Sequence, residues 1–190
     1  MTTSADPDRD TLLFVARAIA LRGVALIHVG SAQCSKPGCC GGAPEPVPWT
    51  YTIGLVEHGH PEVVTLGLPM HHAAPLLNWV HDRHIAGSTI EPGDIEEFDG
   101  VPVQLAPVPT SWVCGHDDPM GRWFAHYAPG RPSLDPPEVR QVLWADRTGL
   151  LPWDRGCDPE VVALQPILGH GDELPLNREP LRRPRGRRRR

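Results

Sequence analysis

The sequence contains no stretch of about 20 uninterrupted apolar residues, the length a helix needs to cross a bilayer. Its first apolar run, Leu12–Leu21, is interrupted by Arg17. Residues Met1–Asp10 are polar and acidic, without the basic start and apolar centre of a secretory leader. A membrane association is therefore not expected, and the expected location is cytoplasmic. A disulfide framework is missing as well: the five cysteines are few for 190 residues, and their odd number leaves at least one free thiol. There is no Gly-x-Ser-x-Gly elbow, no Gly-x4-Gly-Lys-Ser/Thr loop and no Gly-x-Gly-x-x-Gly following a strand. These absences remove the common sequence signatures of a serine nucleophile, a phosphate cradle and a dinucleotide site. No internal repeat is present.

What is abundant is turn chemistry. Twenty-three prolines and nineteen glycines exceed average usage, so short elements and many loops are expected, while an apolar content of 40% still suffices for one core. The reading is a disordered N-terminus over residues 1–9, one α+β domain over 10–168 and a disordered arginine-rich tail over 169–190. Charge is unevenly placed. The formal total is −5, yet Arg178–Arg190 holds eight arginines against one glutamate, which leaves the body strongly acidic. An acidic body is a poor match for phosphates, so specific nucleic-acid binding is not expected, whereas the tail offers non-specific contact with polyanions.

Taken in order, Asp8 or Asp10 can cap a helix reaching about Arg22, with Leu12, Val15, Ala16 and Ile19 on one face and Gly23 as its left-handed stop. Val24–Gly30 reads as a strand in which His28 bonds a neighbour. Residues 31–48 form a Pro/Gly loop carrying Cys34, Cys39 and Cys40. Two strands, Thr50–Val56 and Glu62–Leu68, flank the polar connector Glu57–Pro61 and form a hairpin. A helix over His72–Ala86 follows, with Pro75 acceptable in its first turn. Ser88–Gly100 reads as an acidic, turn-rich segment, and Val101–Val108 as a strand begun by Pro102. Asp117-Asp118-Pro119 opens a helix whose Met120, Trp123, Phe124 and Tyr127 share a face, and Arg140–Ala145 is a last strand. The expected class is α+β, with a mostly antiparallel sheet of about five strands and two or three packed helices. Ile53, Leu55, Val64, Leu66, Leu77, Val80, Val103, Leu105, Trp123, Phe124 and Trp144 are expected to share one core.

Several separate pieces then carry a resemblance: Tyr51-Thr-Ile-Gly-Leu55, Gly59-His-Pro-Glu62, Leu66-Gly-Leu-Pro69, Leu76-Leu-Asn78, Pro102-Val103, Pro107-Val-Pro109, Gln141-Val-Leu-Trp144, Asp146, Gly149 and Pro152-Trp153-Asp154. In this order they resemble the domain-of-unknown-function family 4262, over about residues 10–168. The resemblance implies a shared fold and names no reaction. The cysteine loop and His71-His72 lie outside the family pattern.

The candidate site is the polar corner of residues 57–72. His58, His60, His71 and His72 are concentrated there, and Pro61 holds His60 extended beside Glu62. These five residues are the candidate ligand-binding set. Imidazole and thiolate are zinc ligands, which makes His60, His72, Cys34, Cys39 and Cys40 the metal candidates, zinc being the ion considered. The expected function is binding of a ligand or partner through this corner. The alternatives are a metal-dependent hydrolase-type enzyme using the same His/Glu cluster, and a flavin- or deazaflavin-binding protein.

Overall fold

The structure is a computed structural model that describes residues 7–30, 47–115, 119–129 and 133–168. The cysteine loop at Cys34, Cys39 and Cys40 and the arginine tail lie outside the described residues, as do residues 1–6 of the N-terminal stretch. Among the described residues the order is α1 (Pro7–Arg22), β1 (Ala25–Val29), β2 (Trp49–Ile53), a 3-10 turn (Leu55–His58), β3 (Glu62–Leu66), α2 (Met70–Ile85), β4 (Ile95–Phe98), β5 (Val101–Val108), α3 (Thr110–Val113), α4 (Gly121–Tyr127), β6 (Val139–Trp144) and α5 (Pro159–Leu164). No helix among them is long and apolar enough to cross a membrane.

The strands form a six-stranded mixed sheet in the order β1-β2-β3-β6-β5-β4. The α+β class stands, with one strand more than expected and one parallel pair, β3 with β6. That pairing explains the apolar run of β3. With neighbours on both sides and helices on both faces, every residue from Glu62 to Leu66 is buried. β1 and β2 pair antiparallel with His28 opposite Thr50, and the His28 Nδ1 meets the Thr50 hydroxyl at 2.8 Å, the bonded strand histidine the sequence suggests.

β4 is the strand that the acidic composition of Ser88–Gly100 hid. Its residues alternate between exposed and half-buried, as an edge strand allows. A two-residue turn at Asp99–Gly100, both with positive φ, joins it to β5. Asp-Gly is the strongest short hairpin signal a sequence carries, and here it outweighs the charge around it.

The residues expected to share one core fall into two of the three buried clusters formed by the described residues. Val15, Ala18, Tyr51, Ile53, Val64, Leu66, Met120 and Trp123 cluster under α1 and α4, with Phe124 packed against them. Leu55, Val63, Leu76, Leu77, Val80, Val103, Leu105 and Val142 cluster under α2, with Trp144 at their edge. The period of two along β3 sends Val64 and Leu66 to the first cluster and Val63 to the second, so the sheet itself separates them. α1 turns Val15, Ala18 and Ile19 inward and leaves Ala16 outside. α2 begins at Met70, which puts Pro75 a turn deeper than a first-turn position.

Residues 165–168, at the end of the described chain, pack against β6. The Gln165 side chain imitates a neighbouring strand: it accepts from the Trp144 amide at 2.9 Å and donates to the Trp144 carbonyl at 2.8 Å. Gln141 pairs likewise with Pro166 and Leu168.

Candidate functional site

The hairpin corner is built around a carboxylate. Ile53 ends β2, Gly54 turns the chain at φ 126, and the 3-10 turn closes at Gly59 in a left-handed conformation. A side chain at Gly54 would collide with the Gly23 carbonyl, so the corner and the end of α1 meet only because this residue lacks a Cβ. Three amides are left facing inward, and Glu62 answers them. Its carboxylate accepts from the Gly54 amide at 2.9 Å and, at 3.4 Å, from those of Leu55 and Val56. It also accepts from the Thr52 hydroxyl at 2.6 Å and the Trp123 indole at 3.1 Å.

Glu62 is fully buried, 0% exposed. Burial raises its pKa above the ordinary value, and the hydrogen bonds from Thr52, Gly54, Trp123 and Val56 offset that only in part. The sequence places Glu62 beside His60 in the candidate ligand-binding set. The structure turns it into the sheet, without exposed surface, and makes it the acceptor that fastens β2, the turn and α4 together.

His60 points the other way. Its ring stacks on His84 of α2 at a centroid distance of 4.8 Å. His58 lies edge-on to His81 at 6.5 Å. The corner histidines therefore meet the last turns of α2, not its first. His71 and His72 sit together at the exposed opening turn, ring centroids 4.3 Å apart. At 1.5 Å per residue, His72 and His84 are about 18 Å apart along the helix, so His60 and His72 are too distant to share an ion. Among the described residues no group of three or more His, Cys, Asp or Glu stands in a metal-holding arrangement.

His84 is 1% exposed, and neither ring nitrogen has a hydrogen-bond partner. Burial, followed by the nearby His60, Arg140, His81 and Arg83, holds its pKa down at about 4. The unfolded chain takes up this proton near 6.5 and the folded chain only near 4, so stability is full above 6.5 and declines as pH falls between them. Between pH 6.5 and 5 the loss should be about 2 kcal/mol, read as a lower urea midpoint. His84→Phe, which keeps a ring and removes the proton, should flatten that limb. An unchanged limb in the variant would refute the assignment.

A second feature lies at the opposite end of α2. Leu68, Leu76, Phe98, Val103 and Trp144 wall a cleft of about 410 Å³, with His72, Asp99 and Arg147 at its rim. The cleft floor is rigid because Asp146 organises the turn after β6. Its carboxylate accepts from the Thr148 amide and hydroxyl, the Leu150 amide and the Asp158 amide at 2.7–3.0 Å. Burial alone would raise the Asp146 pKa, but these bonds outweigh it and hold the carboxyl at about 2. Sequence reasoning reached His72 yet missed the cleft, because its walls come from α2, β4, β5 and β6. Cys157 nearby is a poor nucleophile: burial, and then the negative charges of Asp146, Asp154 and Asp158, push its thiol up to about 11.

No curated protein and no solved structure matches the chain significantly. A family model described as Domain of unknown function (DUF4262) does match, over residues 18–158, a span that includes all six strands, the hairpin corner and both ends of α2. The chain belongs to the DUF4262 family.

Proposed function

We propose that this protein is a cytoplasmic, non-catalytic binding module for a small apolar anion such as an aromatic or branched carboxylate. The ligand occupies the cleft between the start of α2 and β4–β6. The observation that carries the reading is the composition of that cleft: an aromatic and aliphatic interior with the Arg147 guanidinium, the His72 imidazole and the Asp99 carboxylate at its mouth, of which Arg147 and His72 can donate hydrogen bonds to an anion. Apolar walls supply affinity and a few placed polar groups supply orientation, the usual division of labour in a ligand site. The one carboxylate close to the floor, Asp146, is fully engaged with four donors and is not available to repel an anion. Its fixed turn presents Arg147 to the opening. The 57–72 stretch takes part through Leu68 and His72. The unpaired thiols Cys114 and Cys157 suit a reducing compartment.

Titration with 8-anilinonaphthalene-1-sulfonate, an apolar aromatic anion, tests the site. One saturable site that quenches Trp144 is expected. Arg147→Ala should weaken it about tenfold, the worth of one well-placed charge–anion contact of about 1.4 kcal/mol. Binding that is indifferent to both Arg147→Ala and His72→Ala would place the ligand elsewhere and end this reading.

A further inference from the structure

The last turns of α2 and the hairpin corner hold imidazoles that the cleft does not use, and one pair of them converges. A Cβ placed on Gly23 would lie 2.9 Å from the Nε2 of His58 and 3.3 Å from the Nε2 of His81. Two ring nitrogens from separate elements thus face one small space, kept open because residue 23 is glycine. The His81 Nε2 is buried without a hydrogen-bond partner. Its other nitrogen, Nδ1, sits 2.9 Å from the Asp82 carboxylate, so the Nδ1 proton is directed to Asp82 and the Nε2 lone pair is left facing inward. A carboxylate behind the far nitrogen is the outer arrangement that metal-bound histidines use to fix tautomer and raise basicity.

We propose that His58 and His81 form a binding site for an imidazole-seeking divalent cation, of the Zn2+, Ni2+ or Cu2+ kind, at the C-terminal end of α1. Two imidazoles bound to one ion at about 2.1 Å place their ring centres between about 5 and 6.5 Å apart, depending on the angle at the metal. The observed 6.5 Å lies at the open end of that range, and the rings are near perpendicular at 74°. His58 is exposed on the 3-10 turn, where a side-chain rotation can tighten the pair. The end of α1 adds to the preference for a cation. Gly23 donates back to the Ile19 carbonyl, while the following carbonyls of the last turn remain at the negative end of the helix. The pair supplies two ligands and water the rest, which makes this a site of moderate affinity. It is independent of the anion cleft, about 14 Å away along α2 from His72 to His81.

The experiment is calorimetric titration of Ni2+ into the full chain with Cys34, Cys39 and Cys40 changed to serine, so that thiolates do not compete. One equivalent per chain is expected. His58→Ala and His81→Ala should each lose this binding, and Asp82→Asn should weaken it at least about tenfold without removing a ligand. His71→Ala, which alters the exposed pair at the other end of α2, should bind as the parent does. Because His58 is exposed, its variant keeps the metal-free melting temperature and separates ligation from folding. Ni2+ binding that survives His58→Ala, disappears with His71→Ala, or fails to saturate overturns the proposal.

Discussion

Replacing Glu62 with alanine should destabilise the protein by about 4–5 kcal/mol, a large share of the roughly 5–15 kcal/mol typical of a folded domain. The carboxylate is the shared acceptor for the Gly54, Leu55 and Val56 amides, the Thr52 hydroxyl and the Trp123 indole. Thr52 can turn to the Val63 carbonyl, whereas the amides of Gly54, Leu55 and Val56 and the Trp123 indole are directed to the Glu62 carboxylate. Each buried donor left without a partner costs about 1–3 kcal/mol, and relief of the buried carboxyl group returns part of the total. Glu62→Gln keeps the shape but turns an NH2 towards donors, and should cost about 2–3 kcal/mol. The two variants also differ from the wild type in pH response. The folded state binds the Glu62 proton more tightly than the unfolded state, so this residue makes stability decline as pH rises from its ordinary 4.5 to its raised folded value. The glutamine variant lacks that slope. Chemical denaturation of both variants checks the argument, and a loss below about 1 kcal/mol for Glu62→Ala would contradict it.

The second large effect is expected at Trp123. It is 2% exposed, packs against Phe124 and Tyr127, and donates its indole proton to Glu62. Trp123→Ala removes a large core ring and should cost about 3–5 kcal/mol. Trp123→Phe separates the two contributions: most of the burial is kept and the indole donor is lost, for about 1–2 kcal/mol. The effects at Glu62 and Trp123 should not add. Removing either partner strands the other, so the double variant Glu62→Ala/Trp123→Ala should be milder than the sum of the single losses by at least about 0.5 kcal/mol. Strict additivity in that cycle would mean that the hydrogen bond contributes nothing. A cost below about 1 kcal/mol for Trp123→Ala would remove α4 from the core.

Local chemistry made much of this protein legible. The hairpin of β2 and β3, the extent of β5, the α2 helix with Leu76, Leu77 and Val80 inward, and the aromatic stripe of α4 follow from periodicity and turn residues close to where they act. His28 is one such case, since its partner Thr50 lies on the adjacent strand. What sequence left open was which elements meet. Period-two alternation places Val63 and Val64 on opposite faces, but only the helices above and below the sheet turn one list of apolar residues into two cores. The same limit decided the corner. His58, His60, Glu62, His71 and His72 are near one another along the chain, and that proximity suggests one site. Tertiary packing divides them. Glu62 turns inward because the turn strands three amides that need an acceptor. His58 and His60 face the last turns of α2 because β3 carries the chain away from the corner before α2 runs back along it, and His72 is carried to a cleft walled by its helix neighbours and by distant residues such as Phe98, Val103 and Trp144. A sequence orders residues along one dimension, whereas hydrogen-bond satisfaction and the burial of two sheet faces are settled in three.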